Sequence, residues 1–69
     1  MNNYIRFHFS DGSHLDKPVF SVVRGITKNI NGVIERPVAV ETYCDIIIDH
    51  ERFNEWYKTE VLPSLEKSE

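Results

Sequence analysis

The stretch YIRFHFSDGSHLD, residues 4–16, decides how the rest of the chain can fold. Ile5, Phe7 and Phe9 alternate with Arg6, His8 and Ser10, and that period of two marks a half-buried strand. Asp11-Gly12 signals the turn that follows. A two-residue Asp-Gly turn pairs Phe9 with His14 and leaves Leu15 on the face opposite Ile5 and Phe7. A three-residue loop, Ser10-Asp11-Gly12, sets Phe7 beside Leu15 and gives Gly12 the left-handed position of a bulge. Register follows the buried face, so the longer loop is expected, in a hairpin of 4–9 with 13–16. It sets His8 opposite His14 and Arg6 opposite Asp16 on the wetter face.

Residues 17–36 read in two ways. Val19, Val22, Val23, Ile26, Ile30 and Val33 share a helical stripe that Asp16 could cap. Against a helix stand the density of β-branched residues and Gly25 in the middle. Asn31-Gly32 is a strong signal for a type I′ hairpin, although it could also end a helix. The sequence favours the hairpin, 19–30 with 33–48, which pairs Ile30 with Val33, Lys28 with Glu35, Val23 with Val40 and Phe20 with Tyr43. Pro37, which cannot donate to a ladder, interrupts it. Along 38–48, Val38, Val40, Thr42, Cys44, Ile46 and Ile48 face one way, with Ala39, Glu41, Tyr43, Asp45 and Ile47 on the other side.

A helix over about 50–62 follows, capped by Asp49 and stapled by Ile48 on Phe53. Phe53, Trp56, Tyr57 and Val61 form its apolar stripe. Pro63 should end or kink it, and the last four residues should fray. The expected class is therefore α+β, a small antiparallel sheet of three to four strands with one C-terminal helix.

Sixty-nine residues make one domain, 1–69, with a small core. Hydrophobic residues at 41% exclude a disordered acidic tail, and no apolar run approaches the roughly 20 residues of a membrane span. With one cysteine there is no internal disulfide and no multi-cysteine zinc site, and no secretory leader is evident, so a cytoplasmic location is expected. Net charge is −3 but uneven. Residues 1–40 carry five basic and three acidic side chains, whereas 41–69 carry eight acidic and three basic. Such an acidic half repels phosphates, which argues against direct nucleic-acid binding and for a basic protein partner.

Catalytic equipment is sparse. His8, His14 and Asp16 form a candidate metal cluster on adjacent strands, but Arg6 competes for Asp16 and the spacing matches no established motif. Cys44 sits in line with Val40 and Ile46 as a packing thiol, and His50 is not placed to act as its base. Glu41 and Asp45 lie about 13 Å apart along a strand, beyond the roughly 5–9.5 Å of paired-carboxylate hydrolysis. No nucleophile elbow, P-loop or dinucleotide fingerprint occurs, and no cofactor is implied.

The residues expected to bind a partner are Phe20, Val22, Glu41, Tyr43 and Asp45 on the second sheet face, joined by Glu51 and Glu55 on the helix. An apolar centre rimmed by carboxylates has the composition of a protein-binding patch. The expectation is a non-enzymatic, acidic interaction protein. In size and charge it matches the format of phage and mobile-element inhibitors, anti-CRISPR proteins among them; in that form the carboxylates of Glu41, Asp45, Glu51 and Glu55 substitute for phosphates in a basic nucleic-acid channel. The alternatives are a metal- or pH-responsive protein built on His8 and His14, and a structural homo-oligomer subunit, such as a homodimer, that completes its core with a neighbour.

Overall fold

The structure, a computed structural model, describes residues 3–45, 47 and 49–65. Its elements run β1 (Asn3–His8), β2 (His14–Pro18), β3 (Lys28–Ile30), β4 (Val33–Glu35), β5 (Ala39–Cys44) and α1 (His50–Trp56). β1 lies between β2 and β5 in a three-stranded antiparallel sheet, and β3 pairs with β4 in a separate ribbon. The class is α+β, as the sequence implies.

The first hairpin has the register that burial of Ile5 and Phe7 requires. Arg6 faces Asp16, Phe7 faces Leu15 and His8 faces His14. The Phe9 N–H donates to the Ser13 carbonyl at 2.9 Å and the Gly12 N–H to that of Phe9 at 3.0 Å, closing the three-residue loop. Gly12 takes φ 88, the left-handed conformation that such a loop demands and that glycine adopts at low cost. Leu15 is on the expected face yet exposed, because β2 is an edge strand at the border of the core.

The second hairpin is shorter than 19–30/33–48. Its tip forms as expected, with Ile30 opposite Val33, Lys28 opposite Glu35, and positive φ at both Asn31 and Gly32. The ladder stops after three pairs, so Val23 does not pair with Val40, nor Phe20 with Tyr43. Residues 39–44 turn instead to the open edge of β1, where Phe7 meets Val40, Arg6 meets Glu41 and Tyr4 meets Tyr43. Two causes are visible. Buried Pro37 cannot donate to a ladder, and residues 19–27 are bent out of an extended path by positive φ at Phe20 (69) and Gly25 (83). On the β1 side, Tyr43 gains a stacked ring, Tyr4, at 5.1 Å. Residues 19–27 are neither strand nor helix.

That irregular segment is nevertheless held firmly. Val23 is 1% exposed in a core with Ile5, Phe7, Phe53, Trp56 and Val61, and Val19 and Ile26 pack against it. The segment's carbonyls lack ladder partners and are met by helix side chains. The Trp56 indole N–H donates to the Ser21 carbonyl at 2.8 Å. The buried Ser64 hydroxyl lies 2.6 Å from the Val23 carbonyl oxygen and 2.8 Å from that of Glu60.

α1 begins where expected, with the Asp49 carboxylate accepting the Arg52 N–H at 2.9 Å. Phe53, Trp56 and Val61 are buried and Tyr57 half-buried, the stripe the spacing implies. The helix is not α throughout 50–62. It widens into a π turn over Tyr57–Val61, in which the Leu62 N–H reaches the Tyr57 carbonyl, and ends in a 3-10 turn over Leu62–Ser64. The Thr59 hydroxyl bonds back to the Glu55 carbonyl at 2.8 Å, a contact that bends helices. Pro63 has no N–H to offer the Thr59 carbonyl, and Arg24 donates there instead at 3.3 Å. The expected positions of Ile46, Ile48 and its staple, and the fraying of 66–69, lie outside the described residues.

Candidate functional site

The residues nominated from the sequence divide between two faces. Pleating puts Tyr4, Arg6 and His8 on the side of β1 opposite Ile5 and Phe7, hence away from the helix. Their neighbours on that outer face are Tyr43 and Glu41 of β5, and Asp16 and His14 of β2. Arg6 is the centre of this face. It donates from Nε to Asp16 at 2.8 Å and from Nη2 at 3.2 Å, and its guanidinium lies over the rings of Tyr43 (5.1 Å) and Tyr4 (5.7 Å). These bonds hold the Asp16 carboxyl below its usual range. Glu41 is held down by the Tyr43 hydroxyl, which donates to it at 2.9 Å, and secondarily by His8 Nε2. The same hydrogen bond raises the Tyr43 phenol.

The His8 and His14 rings do approach, with centroids 6.3 Å apart. Asp16 is engaged by Arg6 and His8 by Glu41, so the trio does not converge on a common point. Among the described residues no three His, Cys, Asp or Glu side chains are grouped to hold a metal ion. Cys44 is half-buried, with Sγ 3.3 Å from Asn3 Oδ1, rather than a fully buried packing residue.

The other nominated residues lie beside the helix. Residues 18–21 form a turn in which the Ser21 N–H and hydroxyl both reach the Pro18 carbonyl, at 3.2 and 2.6 Å. The third residue of that turn is Phe20 at φ 69, where glycine would be unstrained. This conformation sends the ring edge-on against Phe53 (6.4 Å) and Trp56 (5.8 Å). Between this turn and α1 opens a groove of about 670 Å³, lined by Phe20, Trp56 and Thr59, by Asp49, Glu51 and Glu55, and by Arg52. A smaller cavity of about 330 Å³ shares Phe20, Asp49 and Arg52 with it and is otherwise walled by Asn3, Val19, Cys44, Ile47 and Phe53. Val22, 84% exposed, borders a third depression with Arg24 and Glu60. Glu60 accepts from Arg24 at 3.1 Å, while its other carboxylate oxygen is buried with no hydrogen-bond partner among the described residues.

The structure thus brings Phe20 together with Glu51 and Glu55, and Glu41 together with Tyr43, but on opposite sides of the sheet. Asp45 is exposed just beyond β5. The sequence reading missed Trp56, Arg52 and Asp49 as groove residues. Trp56 looked like pure core because its position in the stripe is a core position, and it is 8% exposed. The unread signal was the turn at Pro18, which sets Phe20 against the helix. Among the described residues no helix is long and apolar enough to cross a membrane. No protein-family model, curated protein sequence or solved structure matches this chain.

Proposed function

We propose that this chain is a non-enzymatic binding domain for a basic protein partner, acting in the cytoplasm. The observation that carries the reading is the groove along α1, lined by the rings of Phe20 and Trp56 and by the carboxylates of Asp49, Glu51 and Glu55, which outnumber the single cation Arg52. Aromatic anchors edged by charge are what a partner recognises, and three carboxylates select a cationic one. A non-catalytic role is supported by where the paired titratable groups sit. Arg6 with Asp16, and His8 with Glu41 and Tyr43, are engaged with one another on the exposed outer face of the sheet. In the inhibitor form of this reading, Glu51 and Glu55 take the place of phosphates in a basic channel. Glu41 points from the other side of the sheet and does not join that array.

The test compares the immobilised protein with its E51K/E55K variant in native-host lysate at low and moderate salt. Basic proteins retained by the first, released as salt rises and lost by the variant at an unchanged melting temperature support the reading. Identical retention by both, or retention of no basic protein, overturns it.

A further inference from the structure

We propose that the groove accepts an arginine side chain of the partner and that Arg52 is its resident competitor. This rests on the basic-partner reading and names the group that enters. Phe20 is pinned by its turn and by T-shaped contacts to Phe53 and Trp56, and it lines the groove. The Arg52 guanidinium, which lines the groove too, already lies over its ring, 4.3 Å from the centroid. So the chain itself displays the stacking chemistry the ring supports.

Arg52 satisfies only half of that chemistry. Arg6, Arg24 and Lys28 each hold a carboxylate at 3.1 Å or less, whereas the Arg52 guanidinium has no ion pair among the described residues. Its distance to the ring is nonetheless the shortest of the four cation–ring contacts among the described residues. Glu51 and Glu55 line the same groove. A guest guanidinium entering from solvent can stack on Phe20 and pair with these carboxylates at once, which Arg52 does not do. Arg52 also borders both the large groove and the smaller cavity. A planar guanidinium suits this slot better than an ammonium, because it stacks and forks while shedding water more readily.

The experiment titrates acetyl-Gly-Arg-Gly-amide and its lysine counterpart into the full chain at low salt. Binding is read from the fluorescence of Trp56, the only tryptophan, and from amide shifts. Saturable shifts confined to groove residues are expected, with lysine about two- to five-fold weaker. F20L should weaken the arginine peptide. R52K should tighten it by a similar two- to five-fold factor, since an ammonium competes less well for the ring while the net charge is unchanged. If F20L fails to fold, R52K alone decides. Absence of saturation, equal binding of the two peptides, or an R52K affinity no better than wild type overturns the arginine slot. The lysate comparison with E51K/E55K then still decides, separately, whether the partner is basic.

Discussion

Phe20 offers a direct check on the backbone that shapes the groove. A bulky residue at φ 69 costs about 1–2 kcal/mol relative to right-handed or extended backbone. The ring offsets this. With 38% of the residue exposed, the hidden part contributes roughly 1–2 kcal/mol. The edge-on contacts with Phe53 and Trp56 add about 0.5–1.5 kcal/mol. F20A removes the ring and keeps the strain, because alanine also has a Cβ. F20G removes both, at the expense of about 0.4–1 kcal/mol of extra unfolded-state entropy. Glycine should therefore be the better replacement by about 0.5–1 kcal/mol, although both variants fall below wild type. At 15 °C, near the temperature of greatest stability, urea unfolding with a slope of about 1 kcal/mol per molar should separate the two midpoints by about 0.5–1 M. An F20A midpoint equal to or above that of F20G would refute the left-handed assignment, and with it the aim of the ring into the groove.

Three further outcomes follow from the contacts. Ser64→Ala strips the Val23 carbonyl of its hydroxyl partner at a site 1% exposed, and should lower stability by about 1–3 kcal/mol, measured by thermal melting. Asp49→Ala removes the acceptor for the Arg52 N–H, a loss of about 1 kcal/mol that should also appear as reduced helical ellipticity at 222 nm. The pH profile should fall at both ends. Asp11, Asp16 and Glu41 are held below their usual range by Lys28, Arg6 and Tyr43 respectively. The unfolded chain therefore takes up these protons first, and the stability they give is complete above about pH 5 and lost as the pH falls through and below the ordinary carboxylate range. Tyr43 is raised by Glu41, and Tyr57 by burial, so the unfolded chain loses those protons first and stability declines as pH climbs through about 10. Urea midpoints from pH 2 to 11 test both limbs, and D16N should flatten the acidic one; a midpoint that rises on acidification contradicts the pairing.

What the sequence made legible was local. The register of β1 with β2 followed from the need to bury Ile5 and Phe7 on one side, and the Asn31-Gly32 tip and the Asp49 cap each came from a short-range rule. Strand partnership was not legible. The alternation in β1 shows that one face is wet but not whether one or two neighbours flank it, so β5 was assigned to the nearer segment. The groove was half legible. Glu51 and Glu55 stand out as polar positions on a helix, but Phe20 was read as a strand residue, because nothing in a single phenylalanine reveals a left-handed backbone. The π turn was equally hidden, since it accompanies the Thr59 hydroxyl bond to the Glu55 carbonyl and the N–H that Pro63 lacks rather than hydrophobic periodicity.

The central position of β1 also sets an order of assembly. Its pairing with β2 closes a loop of five residues, 9–13, whereas its pairing with β5 closes thirty, 9–38. By loop-closure entropy alone the second costs about 1.5 kcal/mol more. The first hairpin therefore leads, and β5 docks late, after the β3–β4 ribbon has formed within the intervening chain. Until it docks, one edge of β1 is bare and accepts any extended strand. In the folded chain that edge is closed from Asn3 to His8 by the pairing with residues 39–44.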